Sequence, residues 1–500
     1  MMIALLLLLS ACADDTQPTQ PTEPTQLPSS TPATQPTQPW EAERIGAWEA
    51  EDGILSGGTR VDANACVTGF ENDGDGCTVT VSVPADGFYD LEFIIKATGG
   101  QKINFVYVDD ALVGEITADG AKYQRSTVER VYMTAGEHQV GVFKSWGYIS
   151  WDKVTVWTSR PFNEGIFDVS AKLVNENATD NAKRLMSYLC DVYGTSILSG
   201  QYCETGMNGW ENLMIYNNTG EYPAILGMDM GYYSQTGVDH DVAISTTEQA
   251  ISYWEKGGIV TLCWHWLAPE KYIDGTWYSA FRPEHTNINV TKILNGKDEE
   301  GYQLLMKDID NIAQQLLLMQ QAGVPVLWRP LHEASGGWFW WGAEGPETYK
   351  QLYILLYETL TNTYGLNNLI WVWNGQDAAW YPGDEYVDIV GIDIYAGEHV
   401  YTSQINAFLE THRSTGSNKL VVLSENGTMI DPELSVRDRA MFGFFCVWSG
   451  EFVMNDSVRK SYSEQYTELE MLKKVYKSEH VITRSELPDL HTYPIRDDAQ

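Results

Sequence analysis

Positively charged side chains are scarce in this 500-residue sequence, which has 32 Lys and Arg against 68 Asp and Glu. The formal net charge of -36 would repel phosphate groups, because nucleic-acid affinity depends on Lys and Arg neutralising the backbone. The composition therefore argues against nucleic acids and anionic membrane surfaces as partners.

Cysteine is also scarce, and none of the seven lies in a CxxC or Cys/His metal-ligand spacing. Two pairs are candidates for disulfide bridges in an exported protein: Cys66 with Cys77, which flank a Gly/Asp/Asn loop, and Cys190 with Cys203. Cys263 lies inside an apolar run, as does Cys446, and both are predicted to be buried thiols.

Long apolar runs are missing as well. The N-terminal run from Ile3 to Leu9 is too short to span a bilayer. It ends in Leu9-Ser10-Ala11-Cys12, which resembles the lipobox of a bacterial lipoprotein signal, although no Lys or Arg precedes it. The resemblance implies a signal over residues 1–12, a lipidated Cys12 as the only membrane contact, and a place on the outer cell surface. The alternative is an ordinary secretory signal and a secreted protein.

Residues 13–39 follow as a predicted linker. From Thr16 to Pro39 the chain has seven Pro, seven Thr and five Gln in 24 residues, with no apolar periodicity. Such a segment cannot bury enough surface to fold, and it is typical of an extended spacer.

Tryptophan, in contrast, is abundant, with 18 residues. Its flat, amphipathic ring suits either core packing or stacking on a ligand. Hydrophobic residues make up 43% of the chain, which is ordinary for a globular protein, and the length allows two to four domains.

Short alternating runs with Gly-rich turns fill residues 40–160 and predict an all-β jelly-roll sandwich. Two segments, Glu49-Ala50-Glu51-Asp52-Gly53 and Trp146-Gly147-Tyr148-Ile149-Ser150-Trp151-Asp152, resemble a family 35 carbohydrate-binding module. The resemblance implies a structural Ca²⁺ held by Glu49, Glu51 and Asp152, and Trp146 as the ring on which sugar stacks. The tripeptide Glu-Ala-Glu also occurs at residues 41–43, which leaves open which of the two copies would supply the calcium ligands. A core position for Trp146 is the alternative to sugar binding.

Residues 161–485 contain eight short apolar runs separated by helical patterns, which predicts a TIM (β/α)8 barrel. The predicted strands are Ser196–Gly200, Ala224–Met228, Gly258–Trp264, Val324–Arg329, Leu369–Trp373, Ile389–Ile394, Leu420–Leu423 and Phe442–Trp448.

A glutamate follows two of these strands closely: Glu333 follows the fourth, and Glu425 follows the seventh. Catalytic groups of such barrels lie at the carboxyl ends of the strands, so we expect the two carboxyl groups to face one another across the mouth. A protonated and an ionised carboxyl group in this arrangement are the machinery of glycoside hydrolysis. The alternative, that such a glutamate merely pairs with Arg329 for stability, applies better to a single residue than to two.

The sequence Trp328-Arg329-Pro330-Leu331-His332-Glu333, followed by Ala334-Ser335-Gly336-Gly337-Trp338, is similar to the signature of glycoside hydrolase family 26, which is dominated by β-mannanases. The resemblance implies a retaining mechanism with Glu333 as acid/base and Glu425 as nucleophile. It also implies contacts to the sugar from five further residues: His265, His332, Trp338, Tyr395 and Trp448. No histidine follows at the fourth position after His332, so this is not a zinc motif. Six tryptophans near predicted strand ends are candidates for stacking: Trp264, Trp266, Trp338, Trp340, Trp341 and Trp448.

We therefore expect a monomeric retaining endo-β-1,4-mannanase that needs no cofactor for catalysis and acts on mannan, galactomannan or glucomannan. The same motifs are also compatible with a β-1,3-1,4-glucanase or a β-1,3-xylanase. An inactive surface glycan-binding protein is a further alternative, which the intact pair of glutamates disfavours.

Overall fold

The computed structural model describes residues 40–203, 205–455 and 461–499, and Ala42–Gln500 form one compact unit. The predicted signal, Cys12 and the linker over 13–39 lie outside the described residues. Within these three ranges, no helix combines the length and the apolar character needed to cross a membrane.

The first 11 strands are antiparallel and form the predicted β-sandwich. They are β1 (Arg44–Glu49), β2 (Ile54–Ser56), β3 (Arg60–Val61), β4 (Val67–Thr68), β5 (Gly76–Val83), β6 (Gly87–Ala97), β7 (Lys102–Val108), β8 (Ala111–Ala118), β9 (Gln124–Met133), β10 (Gly136–Lys144) and β11 (Ile149–Thr158). One sheet has the order β3-β4-β11-β6-β9 with β1 paired to β11, and the other has the order β2-β5-β10-β7-β8.

Alternation along the strands explains why these two sheets pack face to face. In β6, Leu91, Phe93 and Ile95 are buried, whereas the residues between them are half-buried. A period of two places every second side chain on the same face, so each sheet contributes one apolar face to a shared core.

Eight parallel strands then close into a barrel, as predicted. They are β13 (Gly200–Tyr202), β14 (Ile225–Asp229), β15 (Ile259–Trp264), β16 (Val326–Pro330), β17 (Leu369–Trp373), β18 (Ile389–Ile394), β19 (Leu420–Asn426) and β20 (Phe445–Val447). Most of their residues are buried on both faces, since helices cover the outside and side chains fill the inside.

The prediction of the first barrel strand at Ser196–Gly200 is wrong. The barrel strand begins at Gly200, and Ile197–Leu198 instead form a separate strand, β12, that pairs in parallel with β21 (Val481–Ile482). Both residues of β12 are apolar and fully buried, so their sequence resembles that of a barrel strand. The true strand includes the buried amide of Gln201, which hydrophobicity does not reveal.

The helices of the barrel domain lie between and after these strands. They are α1 (Asp180–Val192), α2 (Trp210–Thr219), α3 (Gln235–Asp239), α4 (Thr246–Glu255), α5 (Val290–Leu294), α6 (Glu299–Gln321), α7 (Pro346–Glu358), α8 (Ile405–Arg413), α9 (Pro432–Asp438) and α10 (Leu469–Lys477).

The two predicted disulfide bridges are also wrong, because all the cysteines from Cys66 onward are buried free thiols. This state was predicted only for Cys263 and Cys446. Cys77 is fully buried in the core of the sandwich, whereas the sulfur of Cys66 accepts a hydrogen bond from Tyr123 at 2.8 Å. Cys66 and Cys77 flank the same loop, but their sulfur atoms therefore have different surroundings and form no bridge.

Candidate active site

Glu333 lies three residues after the end of β16 in an unusual backbone conformation. Its φ is +52°, as is that of Leu331 two residues earlier, a region that L-residues rarely adopt. The backbone N–H of Glu333 donates to the carbonyl oxygen of Asn374 at 2.7 Å, which fixes the turn. The side chain is held by the indole of Trp338, which donates to Oε2 at 2.8 Å. Strained backbone that its surroundings hold in place is typical of functional sites.

Glu425 is the sixth residue of β19 and is 5% exposed. The guanidinium of Arg329 donates from Nη2 to its Oε2 at 2.5 Å, and the hydroxyl of Tyr395 donates to Oε1. Arg329 is fully buried and also donates to Asp393 at 2.7 Å. This arginine thus contacts the carboxylate rather than the cavity.

The carboxyl groups of Glu333, Asp393 and Glu425 come together at the mouth of the barrel. One oxygen from each lies within 4.8 Å of the other two. Retaining glycosidases place their two carboxyl groups about 5–5.5 Å apart, whereas inverting enzymes leave about 6.5–9.5 Å for a water. The close approach of Glu333 and Glu425 matches the retaining arrangement.

Burial raises the pKa of Glu333, and the neighbouring charge of Glu425 raises it further. Burial also raises the pKa of Glu425, but Arg329 opposes this effect. Asp393 has its pKa raised to about 7, chiefly by burial and against the effect of Arg329. Because the cation contacts Glu425 and not Glu333, the arrangement favours an ionised Glu425 beside a protonated Glu333.

Two histidines lie next to one another at the ends of β15 and β16. Nε2 of His265 is 3.3 Å from Nε2 of His332. Asp229 accepts a hydrogen bond from the backbone N–H of His265 at 3.0 Å and lies 2.7 Å from its Nδ1. Burial lowers the pKa of His265, but Asp229 outweighs this, whereas the pKa of His332 is well below its usual range because of burial and Arg329.

A cavity of about 520 Å³ contains four of the five predicted sugar-binding side chains. His265, Trp338, Tyr395 and Trp448 line it together with the two glutamates. His332 packs behind them and is 1% exposed. Trp338 is 44% exposed, which leaves ring surface for a ligand.

Four of the six candidate stacking tryptophans do not reach the cavity. Trp264, Trp266, Trp340 and Trp341 are between 0% and 2% exposed. They pack on one another, with the rings of Trp264 and Trp266 stacked at 4.0 Å. The prediction that they stack on sugar is therefore wrong, because an aromatic residue beside a strand end can equally turn into the core.

In the sandwich, Trp146 is 69% exposed, so it is not a core residue. Of the predicted calcium ligands, Glu49 lies 3.4 Å from Lys153 Nζ and Asp152 lies 3.5 Å from it. Oε2 of Glu51 is buried and has no hydrogen-bond partner within the described part of the chain.

Three further residues support the site and were not predicted from the sequence: Asp229, Asp393 and Tyr202. The hydroxyl of Tyr202 accepts from Arg329 Nη2 at 3.1 Å, so this ring supports the arginine. Asp229 is the last residue of β14, and Asp393 is the second-last of β18. An acidic residue at the carboxyl end of an apolar strand is the signal that would have indicated both.

Comparison with known proteins agrees with this geometry. The profile described as "Glycosyl hydrolase family 26" matches residues 174–486, and "Carbohydrate binding module (family 35)" matches residues 46–158. A mannan endo-1,4-beta-mannosidase of Thermothelomyces thermophilus is 36% identical over 452 residues, which cover 88% of this chain and 90% of the relative.

Two solved structures are also similar. A Podospora anserina GH26-CBM35 β-(1,4)-mannanase has a TM-score of 0.63 at 35% identity, over 89% of this chain and 99% of the other. A β-mannanase from a symbiotic protist of the termite Reticulitermes speratus, complexed with gluco-manno-oligosaccharide, has a TM-score of 0.57 at 31% identity, over 66% of this chain and 100% of the other. The chain is therefore a glycoside hydrolase that belongs to family 26 and contains a family 35 carbohydrate-binding module.

Proposed function

We propose that this chain is a retaining endo-β-1,4-mannanase. The observation that carries the proposal is the pair Glu333 and Glu425: one carboxylate oxygen of each lies within 4.8 Å of the other, and the two carboxylates have different hydrogen-bond partners. The names of the similar proteins, a mannan endo-1,4-beta-mannosidase and two β-mannanases, support the choice of substrate.

In the first step, Glu425 attacks the anomeric carbon of a bound mannosyl unit while Glu333 donates its proton to the departing glycosidic oxygen. The carbon–oxygen bond to the leaving sugar breaks, and an ester to Glu425 forms. Tyr395 and Arg329 stabilise the ionised nucleophile through the hydrogen bonds described above.

In the second step, Glu333 accepts a proton from a water molecule that attacks the same carbon and releases Glu425. Two inversions give overall retention. These steps need only the side chains of this chain, so we expect no cofactor in catalysis.

Substrate preference is tested by comparing initial rates on glucomannan, lichenan and β-1,3-xylan. We expect the fastest cleavage on the β-1,4-mannosidic substrate. Faster cleavage of lichenan or β-1,3-xylan would assign the chain to the alternative glucanase or xylanase activities. A Glu425→Ala variant that keeps wild-type hydrolysis would refute the catalytic assignment.

A structural Ca²⁺ is proposed for the sandwich, held by Glu49, Glu51 and Asp152. Oxygen ligands suit Ca²⁺, and Oε2 of Glu51 is buried without a hydrogen-bond partner among the described residues. Glu49 and Asp152 lie beside the Lys153 ammonium, which would have to move for the ion to bind. The ion would stabilise the fold and take no part in hydrolysis. A chelator should lower the unfolding temperature of the wild type, and Glu51→Gln should remove that response. An unchanged unfolding temperature of the wild type would contradict the site.

We also propose a lipid anchor at Cys12 and an extracellular, cell-surface location, with the linker separating the enzyme from the membrane. Cell fractionation of the full chain and of Cys12→Ala tests this. Release of only the variant into the medium supports the anchor, whereas release of both would favour the secreted form.

A further inference from the structure

The sandwich is fixed against the barrel through the side chain of Asn406 at the start of α8. Its amide oxygen accepts from the backbone N–H of Glu129 at 2.8 Å. Its amide nitrogen donates to the carbonyl oxygens of Glu129 and Val113 at 3.1 and 3.3 Å. Arg413 adds an ion pair to Glu129 at 2.5 Å. Strands β8 and β9 are thus held to α8 by four polar contacts, so the two domains present a joint surface.

Between them lies a crevice of about 580 Å³. Phe105 and Tyr132 line it from the sandwich, and Gln404 and Thr402 line it from the barrel. Tyr395 lines both this crevice and the cavity with the two glutamates. The crevice therefore begins beside the residue that holds the predicted nucleophile.

Phe105, which lines the crevice, also belongs to the outer face of the sheet β2-β5-β10-β7-β8, so the crevice borders that face. Phe105 is directly opposite Phe143 in the pairing of β7 with β10, and Tyr107 is two residues further along the same face. The ring centroids are 6.5 Å apart for Phe105 and Tyr107, and 5.5 Å apart for Tyr107 and Phe143. We call these three half-buried rings the outer aromatic face.

Uncharged polar groups border the Phe143 side of these rings, whereas the carboxylate of Glu115 is directly opposite Phe105 in the pairing of β7 with β8. Thr78 pairs with Gly141, and Thr80 pairs with Gln139, whose amide donates to the threonine hydroxyl at 3.0 Å. The Cβ that Gly141 lacks would come within 2.7 Å of the Phe143 ring, so this glycine allows the ring to lie close over the sheet. Aromatic rings beside hydroxyl and amide groups fit a ligand with apolar faces and many hydroxyl groups.

We propose that the outer aromatic face and the crevice form a second glycan-binding site, which holds the part of an uncharged β-mannan chain that extends from the catalytic cavity past Tyr395. The site is separate from the exposed Trp146. It rests on the proposed function, because the occupant is the polymer that the barrel cleaves.

The test measures binding of the full chain to insoluble mannan by depletion from solution, and hydrolysis of a short manno-oligosaccharide in parallel. Tyr107→Leu and Phe105→Leu keep an apolar side chain but remove the ring. We expect each to weaken binding about three- to tenfold, the loss expected for one ring contact, with unchanged kcat/KM on the short substrate.

Tyr216→Leu is the matched control, since this ring is 43% exposed and lies on α2, outside both cavities. Gln139→Ala is a second variant for the case that a ring variant does not fold, because Gln139 is exposed. Wild-type binding by all folded variants, or loss of binding in Trp146→Ala alone, would overturn the proposal. A wild type that does not cleave mannan would instead refute the proposed function, and binding would then be measured on the polymer that it does cleave.

Discussion

Arg329 donates from Nη2 to Oε2 of Glu425 across a distance of 2.5 Å, and both side chains are buried. The same guanidinium donates from Nη1 to Asp393. A planar fork can contact two carboxylates at once, which a lysine ammonium on a flexible stem does less well. Arg329 therefore supports the ionised form of the nucleophile without touching the sugar.

The first prediction follows from this contact. In Arg329→Lys, the nucleophile loses part of its stabilisation, so its pKa should rise and the acid limb of the kcat–pH profile should move to higher pH. We also expect kcat to fall by roughly tenfold or more. An unshifted acid limb with wild-type kcat would show that the contact is structural only. Arg282→Lys is the control, because Arg282 lines the cavity but is not among the hydrogen-bond partners of Glu425 in the described part of the chain.

The second prediction concerns Glu333 as the general acid. Because burial and the charge of Glu425 raise its pKa, wild-type activity should fall on the alkaline side as this carboxyl loses its proton. Glu333→Ala should lose most activity on mannan, by a factor of about 10² to 10⁴. It should form the glycosyl-enzyme normally from a mannoside with a very good leaving group, which needs no proton, and its alkaline limb should disappear. Equal losses on both substrates would assign Glu333 another role.

The third prediction concerns stability and Asp308, a fully buried residue of α6. It accepts hydrogen bonds from the Trp266 indole at 2.7 Å and from the backbone N–H of Gln235 at 2.6 Å. Burial raises its pKa to about 7. The carboxyl group of Asp308 therefore binds its proton more tightly in the folded state than in the unfolded chain. Its stabilising contribution to the free energy of unfolding is complete below about pH 4 and is lost as the pH rises through about 7.

Asp308→Asn removes this titration. The unfolding temperature of the wild type relative to the variant should therefore decrease between pH 4.5 and pH 7.5. Asp310→Asn is the control, because its lowered pKa means that it has finished titrating above about pH 5. A constant difference between wild type and Asp308→Asn over this range would contradict the assignment.

The fourth prediction concerns Trp146 in the sandwich. Its exposed ring should contribute to polymer binding without contributing to chemistry. Trp146→Ala should retain wild-type hydrolysis of a soluble oligosaccharide but bind insoluble mannan more weakly, as measured by depletion. Wild-type binding together with an unchanged unfolding temperature would leave the ring without this role.

The barrel and the sandwich were predictable because their signals are local. Strands β15 to β19 are short apolar runs between helices, and β6 alternates with a period of two. The partners of the glutamates were less accessible, because Tyr202 and Arg329 are joined only by barrel closure. The orientation of a tryptophan such as Trp341 depends on neighbours that are distant in the sequence. Whether two cysteines come close enough to form a disulfide bridge also depends on such neighbours. The contacts of Asn406 depend on how two domains meet, which no local pattern encodes.

In the proposed mechanism, Glu333 and Glu425 cleave β-1,4-mannan with retention of the anomeric configuration. The direct test of retention is proton NMR of the anomeric signals during the first minutes of hydrolysis, with a manno-oligosaccharide whose reducing end is blocked as substrate. If the two glutamates act as proposed, the β-anomer of the new reducing end appears first and the α-anomer grows later by mutarotation. Initial appearance of the α-anomer, or no cleavage of the mannan chain, would contradict this mechanism.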